Sequence, residues 1–203
     1  MSEDYNADYF ERGVANGVSG YSNYRWMPEL TIPMAHQIVQ HLGLRQGEKV
    51  LDYGCAKGFL VRALRLLRID AYGCDISQYA LSQGGVTKEY LSDGIPDCTF
   101  QAIIAKDVFE HMGEQELDNL LYYFADVTQK IFVVVPLGED GRYVVPSYER
   151  DTTHVIRKPL GWWSQKLVDA GFNVVSTYEC GFLKENYQHY PRGNGFLTGT
   201  ANG

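Results

Sequence analysis

A run of small residues after the first predicted strand could bring a ligand close to the backbone. The strand covers Lys49 to Tyr53, and Gly54-Cys55-Ala56-Lys57-Gly58 follows it and leads into a predicted helix. Glycine permits the positive φ of a tight turn, and small side chains let the backbone approach a bound molecule. The helix N-terminus adds unpaired N–H groups that can face a carboxylate or a phosphate. Because ligands of open parallel sheets bind beyond the carboxyl ends of the strands, this turn is the first candidate binding segment.

The spacing of the glycines separates two classes of ligand. A dinucleotide fingerprint, G-x-G-x-x-G, requires glycine at position 59, which is Phe59 in this chain, so the spacing disfavours a nicotinamide dehydrogenase. The residues from Asp52 to Gly58 instead read D-x-G-x-A-x-G. This arrangement resembles motif I of the class I S-adenosylmethionine-dependent methyltransferases, in which an acidic residue lies two positions before the first glycine. Ala56 stands where the middle glycine is commoner, and its methyl group should narrow the turn without closing it.

A carboxylate at the end of the second predicted strand strengthens the resemblance. Such a group can accept hydrogen bonds from both ribose hydroxyls of an adenosine. Asp75-Ile76-Ser77 resembles the methyltransferase D-x-S sequence, which implies that Asp75 binds the ribose and that Ile76 covers the adenine. The alternative is that Asp75 only caps the helix that follows.

Two later segments extend the resemblance to about residues 48 to 180. The strand Gln101-Ala102-Ile103-Ile104-Ala105 running into Lys106 resembles motif IV, whose strand-end residue faces the methionine part of the cofactor. Asp151-Thr152-Thr153-His154-Val155 matches the order seen in small-molecule methyltransferases of this class. The adenine-contacting segment departs from the family pattern, and Leu91-Ser92-Asp93-Gly94 is its best candidate.

The resemblance implies S-adenosylmethionine as cofactor and S-adenosylhomocysteine as product. Arg25 is a candidate through its own chemistry, because a guanidinium can hold the carboxylate of the cofactor or an anionic group on the acceptor. The predicted cofactor-binding residues are Asp52, Gly54, Cys55, Ala56, Gly58, Asp75, Ile76, Lys106 and Arg25.

Two histidines are candidates for the proton transfer that some acceptors require. The sulfonium is already a good leaving group, so positioning the acceptor in line supplies most of the rate. A hydroxyl acceptor also needs a base or a metal to remove its proton. His154, in a loop after the fifth predicted strand, is the first candidate for the base, and His111 is the second. A structural or merely exposed role is the alternative for each.

The run from Asp107 to His111 could also hold a divalent ion. Asp107, Glu110 and His111 are predicted to share one helix face, because positions i+3 and i+4 line up, and His154 could be a fourth ligand. The run D-x-x-E-H is similar to the metal-binding E-x-x-E-H of certain RNA-end and quinone-precursor methyltransferases. The favoured interpretation is metal-free: Asp107 caps the helix, while its neighbours orient the loop.

The first 27 residues are predicted to form an arm or lid over a core of residues 28–203. They lack clean periodicity apart from a short helix near Asp8 to Val14. The acceptor pocket is expected to come from this arm and from the C-terminus, although the same aromatic residues could instead pin the arm onto the core. The candidates are Tyr5, Tyr9, Phe10, Tyr21, Tyr24, Arg25 and Trp26, with Phe182, Tyr187, His189, Tyr190 and Arg192.

Alternating strands and helices predict a single α/β domain over residues 1–203. We expect one Rossmann-like doubly wound sheet, mostly parallel with an antiparallel C-terminal strand, and helices on both faces. The third strand, between Asp75 and Phe100, is hard to locate. Predicted strands are Lys49–Tyr53, Ile69–Asp75, Phe100–Lys106, Lys130–Pro136, Phe172–Cys180 and Phe196–Thr200; predicted helices start at Pro28 and cover Phe59–Leu67, Ser77–Gln83, Asp107–Val127 and Gly161–Ala170.

Composition narrows the class of partner. A net charge of −7 repels a phosphate backbone, so general nucleic-acid binding is not expected. The spacing of Arg62, Arg65 and Arg68 is interpreted as a solvated helix face rather than a basic stripe. Four cysteines without C-x-x-C spacing, and no apolar run long enough to cross a bilayer, predict a cytoplasmic protein without membrane attachment.

Methyl transfer to a small polar molecule, at a hydroxyl, is the leading hypothesis. One alternative is a metal-assisted RNA-end methyltransferase, and another is a non-catalytic module that binds S-adenosylmethionine. The sequence leaves the acceptor and the oligomeric state open.

Overall fold

The chain forms two compact units. The computed structural model describes residues 3–179, 184 and 188–202. The N-terminal unit comprises Met1–Gln101 with Arg150–Thr153, and the C-terminal unit comprises Ala102–Glu149 with His154–Gly203. A single domain over residues 1–203 stays a prediction.

The N-terminal unit begins with a helix in the predicted arm. The Asn6 side chain caps this helix by accepting hydrogen bonds from the N–H groups of Asp8 and Tyr9. The second helix starts at Pro28 and stops before Gly43, which has a left-handed φ of 61°. The elements are α1 (Ala7–Asn16), α2 (Pro28–Leu42), β1 (Lys49–Tyr53), α3 (Phe59–Leu66), β2 (Asp70–Cys74), α4 (Gln78–Ser82) and β3 (Leu91–Ser92), with a 3₁₀ helix at Gly85–Tyr90.

The C-terminal unit holds most of the remaining strands. Its first strand starts two residues before the boundary between the units. The elements are β4 (Phe100–Lys106), α5 (Glu114–Val127), β5 (Thr128–Pro136), β6 (Gly138–Glu139), β7 (Arg142–Tyr143), α6 (Leu160–Asp169), β8 (Phe172–Thr177) and β9 (Asn194–Ala201), with 3₁₀ helices at Phe109–His111 and Pro146–Arg150.

Seven strands form one mixed sheet in the order β3-β2-β1-β4-β5-β9-β8. β2 pairs in parallel with both β1 and β3. β9 runs antiparallel to both of its neighbours, β5 and β8. The predicted α/β fold with a mostly parallel sheet and an antiparallel C-terminal strand is therefore confirmed.

The middle strands are apolar without alternation, which is typical of strands buried on both faces. The side chains of residues 102–105 in β4 and residues 131–135 in β5 are almost completely buried. In β1 the run Val50-Leu51-Asp52 is buried as well. The same pattern made these strands predictable from the sequence.

Two elements differ from the prediction. The predicted helix over Asp107–Val127 is wrong at its beginning, because Asp107 has a φ of 56° and its N–H donates to the carbonyl of Val134 at 2.8 Å. Only a single 3₁₀ turn follows before α5 begins at Glu114. The third strand is β3, whose two residues, Leu91 and Ser92, pair with Gly73 and Cys74.

A small hairpin, β6–β7, was not predicted. It turns at Asp140 and Gly141, whose φ angles of 51° and 77° are both left-handed. Asp-Gly is a strong local signal for such a two-residue turn, so the sequence did contain this information. The predicted strand end at Cys180 lies outside the described residues, and β8 ends at Thr177.

No helix among residues 3–179, 184 and 188–202 is both long and apolar enough to cross a membrane. The longest of these helices, α2, has 15 residues, whereas a span needs roughly 20.

Packing at Gly73 generates a stability prediction. A Cβ at this position in β2 would lie 2.7 Å from Cys55 Sγ and 2.9 Å from Val61 Cγ2. We expect Gly73→Ala to lower the free energy of unfolding by about 1–3 kcal/mol, because the well-packed neighbours must move. Urea denaturation measures the change. Gly94→Ala is the matched control, since its Cβ would meet nothing within 4 Å, and equal effects of the two changes would contradict the prediction.

Candidate functional site

The glycine-rich turn has the backbone conformation that its composition predicts. Gly54, Ala56 and Gly58 all have left-handed φ angles, of 74°, 48° and 72°. The N–H groups of Gly54 and Cys55 donate to the carbonyl of Cys74 at 2.9 and 3.1 Å, which fastens the turn to the end of β2. Glycine adopts a left-handed conformation without strain, so Gly54 and Gly58 fit this turn. Ala56 has a side chain and is therefore the residue whose conformation is strained.

The Asp75 carboxylate joins this turn to the chain after β2. One oxygen accepts a hydrogen bond from the N–H of Ala56 at 2.7 Å, and the other accepts from the N–H of Ser77 at 2.8 Å. Burial raises the pKa of Asp75, and these two N–H groups partly offset that effect. The alternative role as a helix cap belongs to a different residue, because the Ser77 hydroxyl caps α4 through the N–H of Ala80.

Three further predicted cofactor residues of this unit, Asp52, Cys55 and Ile76, differ in their exposure. Asp52 is buried in β1, whereas the Ile76 side chain beside Asp75 is 50% exposed despite being apolar. Burial raises the pKa of Cys74 to about 12 and that of Cys55 further still, so both thiols stay protonated. Cys55 can therefore take part in binding through its backbone and its small volume, but not as a nucleophile.

An aromatic cluster from the arm covers the turn. Tyr9 and Phe10 of α1 are buried, and Ala56 packs against this cluster together with Tyr24 and Tyr79. The Tyr9 hydroxyl donates to the buried carboxylate of Asp151 at 2.8 Å, which ties the arm to the segment 150–153. Arg25 lies on this arm and is exposed, and its role stays a prediction.

An ion pair that the sequence analysis missed connects the arm to the turn itself. The Lys57 ammonium donates to the Glu11 carboxylate at 2.5 Å and to the carbonyl of Tyr24 at 2.7 Å. It also lies 5.8 Å from the ring centres of Tyr24 and Tyr79. The lysine side chain is only 9% exposed. No local pattern pairs Glu11 with Lys57, because they are far apart in the sequence.

The predicted helical face of Arg62, Arg65 and Arg68 is wrong in one member, because α3 ends at Leu66 and Arg68 has a left-handed φ of 63°. The Arg62 guanidinium lies 4.5 Å from the ring centre of Trp26, and that of Arg65 lies 3.4 Å from the ring centre of Tyr90. Arg65 also forms an ion pair with Asp70. These arginines pack against aromatic residues of their own unit.

In the C-terminal unit, Asp107 forms a buried ion-pair network at the end of β4. Both the Lys106 and the Lys184 ammonium groups donate to its carboxylate at 2.5 Å. Burial alone would raise the pKa of Asp107, but the two lysines outweigh it and the net shift is downward. Asp107 neither caps a helix, which was the favoured interpretation, nor shares a helix face with Glu110 and His111, which was the metal-site alternative. It is non-helical and bound to two cations. No sequence signal identified Lys184 as a partner of Asp107.

Glu110, His111 and His154 come together in the same unit. Glu110 Oε1 lies 4.0 Å from His111 Nε2 and 3.9 Å from His154 Nε2. The backbone explains this convergence, because the carbonyl of Glu110 accepts hydrogen bonds from the N–H groups of Val155 and Ile156 at 2.8 and 3.1 Å. Glu110 is 1% exposed, and burial, followed by the charge of Asp107, raises its pKa. Both predicted bases therefore share one buried carboxylate.

The C-terminal residues predicted to line the acceptor pocket lie partly within and partly outside the described residues. Phe182 and Tyr187 lie outside the described residues. His189, Tyr190 and Arg192 are exposed, and the Arg192 guanidinium donates to the Tyr178 hydroxyl at 3.2 Å. Their assignment to an acceptor pocket stays a prediction.

Similarity to curated proteins is confined to part of the chain. No known family model matches it. It is 38% identical over 71 residues to the ribosomal protein L11 methyltransferase of Neisseria meningitidis, and the match covers 30% of this chain and 24% of that protein. The chain thus spans about a quarter of the length of the curated relatives it matches.

Solved structures share the fold over most of the chain. One chain of a Haloferax volcanii complex, between the Trm112 methyltransferase activator and a methyltransferase, has a TM-score of 0.65 at 17% identity, covering 86% of this chain and 93% of that chain. Magnesium protoporphyrin IX methyltransferase of Synechocystis, solved with S-adenosylhomocysteine, has a TM-score of 0.61 at 16% identity, covering 85% and 86%. This is the fold of class I S-adenosylmethionine-dependent methyltransferases. The predicted resemblance to this class is confirmed at the level of the fold.

The Glu11–Lys57 pair generates a prediction about arm stability. We expect Glu11→Gln to lower the free energy of unfolding by about 1.5–3 kcal/mol at neutral pH, because it removes the charged acceptor of a buried ammonium. The hydrogen bond from Lys57 lowers the pKa of Glu11. Its stabilisation is therefore complete above the unfolded-state pKa and disappears as the pH falls through the folded-state value.

Urea denaturation at several pH values measures this effect, and the two proteins should become equally stable in acid. Glu89→Gln is the control, since Glu89 is exposed in the same unit. An undiminished difference in acid would contradict the ion-pair explanation.

Proposed function

We propose that this chain is an S-adenosylmethionine-dependent methyltransferase that acts on a hydroxyl of a small polar molecule. The observation that carries the proposal is the joined geometry of the turn from Gly54 to Gly58 and the carboxylate of Asp75. The fold and the partial similarity to methyltransferases support the same class of enzyme and the same cofactor.

Asp75 has the hydrogen-bonding capacity that a ribose requires. An ionised carboxylate offers about four acceptor sites, and the N–H groups of Ala56 and Ser77 occupy two of them. The remaining two are available for the 2′ and 3′ hydroxyls. The exposed Ile76 beside it offers an apolar surface for the adenine. Asp93 and Gly94 follow β3 directly, and Asp75 donates its N–H to the carbonyl of Ser92 at 3.1 Å, which supports an adenine-contacting role for this segment.

His154 is assigned to removing the acceptor proton, with His111 as the second candidate. His154 Nδ1 lies 3.1 Å from the carbonyl of Tyr148. That carbonyl can only accept, so Nδ1 carries the proton and Nε2 is the basic nitrogen. The nearby carboxylate of Glu110 would stabilise the imidazolium that forms.

Charge favours a small acceptor over a nucleic acid. The chain carries a net charge of −7, and both arginines of α3 contact aromatic rings of the protein. Non-specific nucleic-acid binding depends on lysines and arginines that are available to phosphates.

Cofactor binding tests the role of Asp75. We expect Asp75→Asn to weaken S-adenosylhomocysteine binding by about tenfold to more than a hundredfold, because hydrogen bonds to a charged acceptor are lost.

The same carboxylate predicts a pH dependence of cofactor binding. Since burial raises the pKa of Asp75, the affinity of the unsubstituted protein should fall as the pH drops through that raised value, whereas Asp75→Asn should show no such fall. Isothermal titration calorimetry measures both effects. Asp97→Asn, at an exposed position of the same unit, is the control; equal affinities for the two variants would refute the assignment.

Turnover tests the role of His154. We expect His154→Ala to reduce release of S-adenosylhomocysteine by more than about tenfold, with cofactor affinity unchanged, because the acceptor proton loses its base. The assay uses S-adenosylmethionine with a panel of sugars, nucleotide sugars and other hydroxylated metabolites. His41→Ala, an exposed change on α2, should leave turnover unaltered. Cofactor binding without product release from any acceptor would favour a non-catalytic module instead.

A further inference from the structure

The cluster of Glu110, His111 and His154 has the composition of a metal site. One ligand atom from each residue, two imidazole nitrogens and a carboxylate oxygen, lies within 4.8 Å of the other two. The side chains are 1%, 12% and 8% exposed, so the cluster is largely removed from solvent. Buried carboxylates are rare unless they are paired or coordinate a cation.

The second oxygen of Glu110 provides an independent observation. Glu110 Oε2 is buried and has no hydrogen-bond partner among residues 3–179, 184 and 188–202. A buried polar atom without a partner costs about 1–3 kcal/mol, and more when it is charged. Protonation would remove the charge, but the resulting O–H group would still need an acceptor. A cation bound to the carboxylate would both neutralise its charge and give the buried oxygen a partner.

Backbone hydrogen bonds already hold two of the ligands, Glu110 and His154, in place. The two hydrogen bonds from the N–H groups of Val155 and Ile156 to the Glu110 carbonyl keep the residue after His154 beside Glu110. The Tyr143 hydroxyl braces the same segment by donating to the carbonyl of Ile156 at 2.8 Å. On His154, the carbonyl of Tyr148 holds Nδ1 and leaves Nε2 directed towards Glu110. A ring nitrogen held by a backbone carbonyl is typical of metal-binding histidines.

We propose that Glu110, His111 and His154 bind one transition-metal ion, such as Zn²⁺ or Co²⁺. Two imidazoles and one carboxylate suit these ions, whereas Mg²⁺ and Ca²⁺ prefer oxygen ligands. A tetrahedral ion about 2.1 Å from each ligand would hold the ligand atoms about 3.4 Å apart. The separations of 4.0 and 3.9 Å between Glu110 and the two histidines therefore require a contraction of about 0.5–0.6 Å. The two histidine nitrogens, which lie within 4.8 Å of each other, must also approach by side-chain rotation.

The three-ligand set excludes Asp107. Two lysine ammonium groups already bind its carboxylate, so it has no charge left to offer an ion. Three protein ligands leave one coordination position open, as in catalytic rather than structural sites.

An open position gives the ion a role in the proposed function, on which this part of the inference rests. A hydroxyl bound there would lose its proton to solvent more easily. The oxygen would then take the methyl group, and the sulfonium would leave as the neutral thioether S-adenosylhomocysteine. In the loaded protein His154 acts as a ligand, and the ion replaces it as the group that activates the hydroxyl.

Metal titration tests the site directly. The full chain, treated with a chelator, dialysed and free of any histidine tag, is titrated with Co²⁺ by calorimetry and by visible absorption. We expect one Co²⁺ per chain, with d–d bands of a four- or five-coordinate ion, and displacement by Zn²⁺. Glu110→Gln and His154→Ala should each weaken binding by at least about tenfold. His36→Ala, an exposed histidine of α2, should leave it unchanged.

The outcomes separate this proposal from the proposed function. Absence of stoichiometric binding, or binding unaffected by Glu110→Gln and His154→Ala when circular dichroism shows both variants folded, would overturn the metal site. S-adenosylhomocysteine binding is measured on the same samples. Metal binding without cofactor binding would support the metal site and refute the methyltransferase proposal. Cofactor binding without metal binding would refute the metal site and leave the methyltransferase proposal supported.

Discussion

The carboxylate of Asp75 accepts hydrogen bonds from the glycine-rich turn and from the chain after β2, and the geometry of the proposed cofactor-binding region depends on it. Ala56 can stay in a left-handed conformation because its N–H is held by Asp75 at 2.7 Å. The carbonyl of Cys74 holds the two preceding residues of the turn. Without these bonds an alanine with positive φ would relax towards an ordinary conformation at a gain of about 1–2 kcal/mol. The turn is therefore preorganised by the residue that is proposed to bind the ribose.

Two buried charges, one in each unit, are compensated by oppositely charged side chains, whereas the carboxylate of Glu110 is not fully satisfied. In the N-terminal unit the Lys57 ammonium is compensated by Glu11, which makes the aromatic arm part of the folded unit rather than a loose extension. In the C-terminal unit the carboxylate of Asp107 is compensated by two ammonium groups. Glu110 differs from both, since its Oε2 lacks a hydrogen-bond partner in the described part of the chain. Glu110 can therefore gain a partner by binding a metal ion, whereas Asp107 already has two.

Prediction from sequence succeeded where a pattern is local. The strands β1 and β4 agree with their predicted limits, because continuous apolar runs between turn residues identify buried parallel strands. β3 could not be located, since two residues are too few for any periodicity and its pairing with β2 defines it. The helix expected from Asp107 failed for a related reason: the strand ladder continues through the N–H of Asp107, and a positive φ there prevents a helical turn.

The sequence by itself determined the class of fold, the turn from Gly54 to Gly58 and the position of Asp75, because glycine conformation and residue spacing are properties of short segments. Only the tertiary structure decided which of the four suggested metal ligands converge. It placed Glu110, His111 and His154 together through backbone hydrogen bonds between distant segments, and it paired Asp107 with Lys184. The physical reason is that long-range ion pairs and backbone bonds depend on how strands and loops are arranged in space, and residue types along the chain do not specify that arrangement.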